Sequence, residues 1–168
     1  MILCKIRDQK DFMGKLLAGD GFDSFLLKEA VIYGFVPYQI DGRINKAFFS
    51  NEKDEDAAFT AYEYAQWKDI RPVCFDLIKG KRTPTKFAFV LYLKPEATDS
   101  IFEKAGISAS NSLVQNFILN IRFEQGDMSI TTAVDYSGFT LDKQAEHIWD
   151  TTARKFLDKK EISYENIY

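Results

Sequence analysis

The residues best placed for chemistry form a run of bases. Ile78-Lys79-Gly80-Lys81-Arg82-Thr83-Pro84-Thr85-Lys86 sets four cations within eight residues, beside a Gly and a Pro. Lys68 and Arg71 precede it. Such side chains in a flexible turn can hold phosphate oxygens or a nucleic-acid backbone. Bases just past a helix end also complement the negative end of its dipole. The run has two readings: an anion-binding loop, or a solvated turn whose charge balances the acids at 52–56. No Phe or Tyr lies inside the loop, so base stacking is not suggested locally. The candidate anion- or nucleic-acid-binding residues are Lys68, Arg71, Lys79, Lys81, Arg82 and Lys86.

Other chemistries find less support. His147 is the one histidine. General acid–base work often falls to histidine because it titrates near neutrality. Here it lies on the polar side of the last expected helix, near Lys143 and Arg154, where an exposed surface histidine is the expectation. Two cysteines and one histidine cannot build a four-Cys or mixed Cys/His zinc site. Cys4 and Cys74 are expected as reduced, largely buried thiols. Asp23, Glu29, Asp41, Glu63, Asp69 and Asp76 show no spacing that marks a catalytic pair. The chain carries no Walker A loop, HExxH or GxSxG. No catalytic residue, metal site or cofactor is therefore assigned.

Two further segments stand out. Ser50-Asn51-Glu52-Lys53-Asp54-Glu55-Asp56 carries five charges in seven residues, four of them acidic. It reads as a solvated loop tip, because it lacks the Gly and spaced oxygen ligands of a calcium loop. Residues 59–67 carry Phe59, Tyr62, Tyr64 and Trp67. One core cannot account for both faces of such a strand. Either both faces are covered, or an aromatic patch is left for a partner.

Composition bounds the molecule that must position these groups. The 168 residues are 46% hydrophobic and 28% charged, which fits one globular domain with no need of disulfide staples. The 25 acids and 22 bases leave a net charge of −3. No overall basic field draws the chain to nucleic acid or anionic lipid. The longest apolar run, residues 87–93, falls far short of the ~18 residues that span a bilayer. The N-terminus reads as a first strand and not as a signal peptide, so a cytoplasmic protein with no membrane partner is expected.

The expected elements follow from periodicity. Residues 2–7 alternate as a strand. Asp8 can cap a helix through about Ala18, with Gly19 after its end. Residues 24–29 and 31–40 read as two strands, and Asp41-Gly42 as a hairpin turn into a strand at 44–49. Residues 58–67 read as another strand. Ile70, Val73, Cys74, Leu77 and Ile78 make a helical stripe over 69–80, outnumbering the strand-like alternation of Val73, Phe75 and Leu77. Asp69 or Arg71 can cap that helix. Residues 86–93 form a buried strand, and 98–105 a short helix closed by Gly106. Residues 113–123 and 128–136 flank Gln125-Gly126-Asp127 as a hairpin. Thr140 caps a final helix to about Leu157, with Leu141, Ala145, Ile148, Thr152 and Phe156 in one sector. Residues 159–168 are expected to form a loosely held tail on a single 1–158 domain. The fold class is α+β: a curved, mostly antiparallel sheet of seven or eight strands, with four helices on one face.

Several of these residues together carry a resemblance. Phe25-Leu26-Leu27-Lys28-Glu29-Ala30, Ile40-Asp41-Gly42, Trp67 with Arg71-Pro72, and Ile78-Lys79-Gly80-Lys81 with Pro84 resemble a bacterial family of unknown function over residues 25 to about 93. That resemblance implies no reaction. The order strand, helix, four strands, helix, strand over 2–93 also looks like one domain of a DNA sliding clamp. It implies that Lys68, Lys79, Lys81 and Arg82 would face a DNA backbone, although such a resemblance concerns fold and not function. The helices expected at 98–105 and 140–157 depart from the clamp pattern. The expectation is a non-catalytic binding module contacting DNA, RNA or another protein through the basic segment. A small enzyme built on dispersed carboxylates, or a structural subunit, are the alternatives.

Overall fold

The computed structural model describes residues 1–49, 56–108 and 112–168. The acidic run at 50–56 lies, apart from Asp56, outside the described residues. Seven strands and four α-helices follow in the order β1 (Leu3–Ile6), α1 (Gln9–Met13), β2 (Phe25–Tyr33), β3 (Pro37–Asp41), α2 (Trp67–Ile78), β4 (Lys86–Leu93), α3 (Pro95–Ala105), β5 (Val114–Glu124), β6 (Asp127–Tyr136), α4 (Gln144–Lys159) and β7 (Tyr164–Asn166). A π turn over Gly14–Ala18 extends α1, and a 3-10 turn occupies Lys46–Phe49. The strands form one open sheet in the order β3-β2-β4-β5-β6-β1-β7, every neighbouring pair antiparallel. This is the expected α+β architecture.

Alternation along the strands divides the sheet into two faces. Phe87, Phe89 and Leu91 of β4 and Phe117, Leu119 and Ile121 of β5 point into one core. Phe12 of α1, Trp67 and Cys74 of α2, Phe102 of α3 and Trp149, Ala153 and Leu157 of α4 join that core, so all four helices pack on the same face. The rows between, such as Ala88, Val90, Asn120 and Thr131, are only half-buried. Both tryptophans satisfy their ring N–H groups inside: Trp67 donates to the Leu16 carbonyl at 2.9 Å, Trp149 to that of Ile118 at 2.8 Å. Buried indoles keep a polar handle, and such bonds remove its desolvation cost.

Several local expectations are corrected. Residues 24–40 do not hold two strands broken near Ala30. β2 runs unbroken to Tyr33, with a bulge around Lys28, and turns at Gly34-Phe35-Val36 into β3. Asp41-Gly42 is therefore not the hairpin turn. A side chain at Gly42 would meet the Leu27 carbonyl oxygen at 1.7 Å, so glycine serves a close backbone approach there. The expected strand at 44–49 is the 3-10 turn, and residues 58–67 make only isolated bridges. The strand–helix–strand order over 2–93 thus contains two middle strands where the clamp resemblance implied four.

The helices shift at their starts. α1 is capped by Asp8, whose carboxylate accepts from the Asp11 N–H at 3.0 Å. α2 begins at Trp67, with Gln66 and not Asp69 or Arg71 at its N-cap. α3 begins at Pro95, a residue suited to a first turn, and ends at Gly106. α4 begins at Gln144 and not after Thr140, because Thr140 and Asp142 spend their oxygens on the N–H groups of Asp142 and Gln144 in local turns. Leu141 is left 81% exposed. The core row of α4 is Trp149, Ala153 and Leu157, one step round from the expected sector. The last residues are not a loose tail: Ile162 is buried, and β7 pairs with β1 at the sheet edge.

Candidate functional site

The six sequence-selected bases do not converge on one place. Lys68 and Arg71 lie in the first turns of α2, roughly 16 Å and 12 Å along the axis from Lys79 at 1.5 Å per residue. Arg71 is ion-paired with Asp23, both groups partly shielded from solvent. Lys68 is exposed. At the other end, Lys79 pairs with Asp76 at 2.8 Å, and Lys86 approaches Glu124 at 3.8 Å. Exposed pairs of this kind hold loosely and exchange partners at little cost. Lys81 and Arg82 are exposed and in no ion pair among the described residues.

The loop carrying them is held at both ends and free between. The Lys79 N–H closes α2 on the Phe75 carbonyl at 2.8 Å. Gly80 then takes φ 136°, a conformation that side chains resist, and turns the chain away from the helix axis. Pro84 is buried, and the Thr85 N–H donates to the Tyr33 carbonyl at 3.0 Å. The bases at 81 and 82 therefore project from a short arch anchored on the end of β2.

That anchoring brings in residues the sequence reading missed. Tyr33 leads into the β2–β3 turn, whose Phe35 is 99% exposed. The Lys86 ammonium lies 5.7 Å from the Tyr33 ring, and the Lys79 ammonium 5.6 Å from the Phe75 ring. Gly34 lies under the end of α2, near the Leu77 carbonyl. Tyr33 and Phe75 thus stand beside the basic arch, and Phe35 lies in the turn that Tyr33 enters, although the arch itself contains no aromatic. The signal that could have found them is Gly34 between two aromatics, once the hairpin turn is placed there and not at Asp41-Gly42.

The aromatic segment 59–67 splits. Trp67 is core, as full burial required, while Phe59 is exposed. Tyr62 and Tyr64 sit with Tyr92, Arg43 and Glu63 around a shallow cavity of about 520 Å³. Arg43 donates to Glu63 at 2.7 Å and to the Tyr64 hydroxyl at 3.0 Å. The Tyr62 hydroxyl donates to Glu96, which raises the phenol to about 12 and lowers the Glu96 carboxyl. Burial pushes Tyr92 to about 12 as well. These phenols stay protonated at neutral pH, so they offer hydrogen bonds and ring faces, not a base.

The remaining reactive groups are placed apart. Burial pushes the Cys74 thiol to about 12 and raises Cys4, so neither presents a thiolate at neutral pH. Both are free. His147 is exposed on α4. Among the described residues no group of three His, Cys, Asp or Glu is placed to hold a metal ion. No helix among them is long and apolar enough to cross a membrane.

Comparison with known proteins extends the resemblance seen over 25–93. The model of a family described only as of unknown function, DUF5721, matches residues 15–165, and the chain belongs to that family. No curated protein and no solved structure matches it.

Proposed function

We propose that this member of the family is a non-catalytic binding module for single-stranded nucleic acid. Its contact surface is the arch of Lys81 and Arg82 with Lys79 and Lys86 at its feet, and the exposed rings of Phe35 and Phe75. The single observation that supports this most is a fully exposed phenylalanine in the turn entered by Tyr33, the residue that anchors an arch whose two central bases pair with no acid among the described residues. A polymer whose backbone is anionic and whose bases have flat faces answers both features at once. A duplex hides its base faces and would use only the cations. Lys68 and Arg71 fall outside this surface: one lies at the far end of α2, and the other is committed to Asp23.

The test is fluorescence anisotropy with labelled 20-mer oligonucleotides of dT and of U over a salt series. Removing one cation that touches a phosphate should reduce the slope of log affinity against log salt by roughly 0.7 for a single strand. Lys81→Ala with Arg82→Ala should therefore flatten the slope by about 1.4. Phe35→Ala should weaken binding by roughly 1–3 kcal/mol and leave the slope unchanged. Wild-type protein that shows no salt-sensitive retention of either oligonucleotide ends this reading.

A further inference from the structure

A second surface lies across the molecule's helical layer, in the groove of about 640 Å³ between α3 and α4. Its origin is in the row structure of α4. Residues four apart on a helix stack into ridges, and neighbouring ridges differ by one residue. The ridge of Trp149, Ala153 and Leu157 is core. The next ridge, Ile148, Thr152 and Phe156, is half-buried and floors the groove. The ridge after that, His147, Thr151, Lys155 and Lys159, is exposed and forms its rim.

The opposite wall is α3, through Ile101 and Ala105, with Lys104 on its lip. Phe156 also packs on the rings of Phe22 and Phe25, and the Thr152 hydroxyl donates to the Ile148 carbonyl at 2.7 Å. The floor is therefore tied to the core and does not depend on a visitor for its shape. No carboxylate among the described residues lines the groove. Among the described residues, Lys104, Lys155, Lys159 and His147 enter no ion pair. Lysines thus rim an apolar floor on both sides and, among the described residues, are held by no ion pair.

We infer that this groove docks an acidic amphipathic helix of a partner protein. The rim on α4 runs from His147 to Lys159, about 18 Å at the helical rise, which is the length of three turns of a third helix. A furrow between the ridge of one helix and the wall of another is a surface that can receive a third helix's ridge. The furrow stays open to solvent along one side, unlike the pockets that enclose most of a small ligand. The complement is a helix with one apolar ridge and Asp or Glu on the ridges flanking it. This surface is distinct from the basic arch and does not rest on the nucleic-acid reading.

The probe is a labelled synthetic helix of about 18 residues with a Leu ridge flanked by Glu. Its mirror carries Lys in place of Glu. The acidic helix should bind the intact protein saturably at physiological salt, and the Lys-rich helix should not. Lys104→Glu, Lys155→Glu and Lys159→Glu together should weaken the acidic helix roughly tenfold and favour its Lys-rich mirror. Thr152→Trp fills the floor without changing charge, and should weaken the acidic helix while circular dichroism shows a retained fold. Lys81→Ala with Arg82→Ala should leave this binding unchanged, which separates it from the oligonucleotide test. Equal binding of both helices, or unaltered binding to the charge-reversed protein, overturns the inference. So does saturation of the groove by decanoate in a protein that ignores the acidic helix.

Discussion

α2 presents two faces that use the same kind of residue in opposite ways. Trp67 and Cys74 are turned inward, fully removed from water. Phe75, one residue on from Cys74, is turned outward, and Phe35 of the β2–β3 turn is exposed at the same end of the molecule. Apolar area buried in a core stabilises the fold, whereas an exposed ring contributes almost nothing to it. The inner face is explained by folding. The outer face is not, and the proposed contact surface rests on that asymmetry.

The contrast breaks most visibly at the buried indoles. Trp149→Ala removes a large side chain from full burial and the indole hydrogen bond to the Ile118 carbonyl. It should cost roughly 3–5 kcal/mol and lower Tm by on the order of 10 °C, read by calorimetry. A shift of only a degree or two would mean that the inner face is not the structural one.

Cys74 sharpens the contrast by pH. Its thiol is raised in the folded chain from an ordinary 9.0 to about 12 by burial. The folded state therefore holds the proton more tightly than the unfolded one. Stability from this group is complete below pH 9 and falls as pH rises from there towards 12. Cys74→Ala should flatten that alkaline decline in a urea-midpoint series, and the wild-type thiol should resist iodoacetamide until the protein unfolds. Fast labelling of Cys74 in folded protein at neutral pH would contradict the burial.

The smallest expected change lies on the outer face. Phe35→Ala and Phe75→Ala should each move stability by less than about 0.5 kcal/mol. Their effect belongs in the oligonucleotide titration and not in the melting curve. A large drop in Tm for Phe35→Ala would erase the distinction between the two faces.

Much of the sheet was legible because its strands are long and flanked by clear turn chemistry. The buried 86–93 strand, the Gln125-Gly126 hairpin and the Asp8 and Gly106 caps all appear where pattern placed them. The helix over 69–80 was separable from a strand because five apolar positions fit one turn geometry. The errors cluster where a residue type serves tertiary contact. Gly42 looks like turn chemistry and is needed for a backbone approach to Leu27. Thr140 looks like a helix cap and closes a local turn. The candidate site was half legible: the bases stood out in sequence, but the rings beside them did not.

The amino-acid sequence by itself determined most of the elements and the inward-facing rows of the long central strands, because side-chain period and capping are local properties of a chain. It also determined that this is a member of a family without assigned activity. Only tertiary structure decided which bases are committed to acids, which aromatics stand beside the arch, and which ridge of α4 meets the core. Those outcomes depend on pairing between residues far apart in the chain, such as Arg71 with Asp23 and Thr85 with Tyr33. No local spacing encodes such pairs; the sheet order creates them.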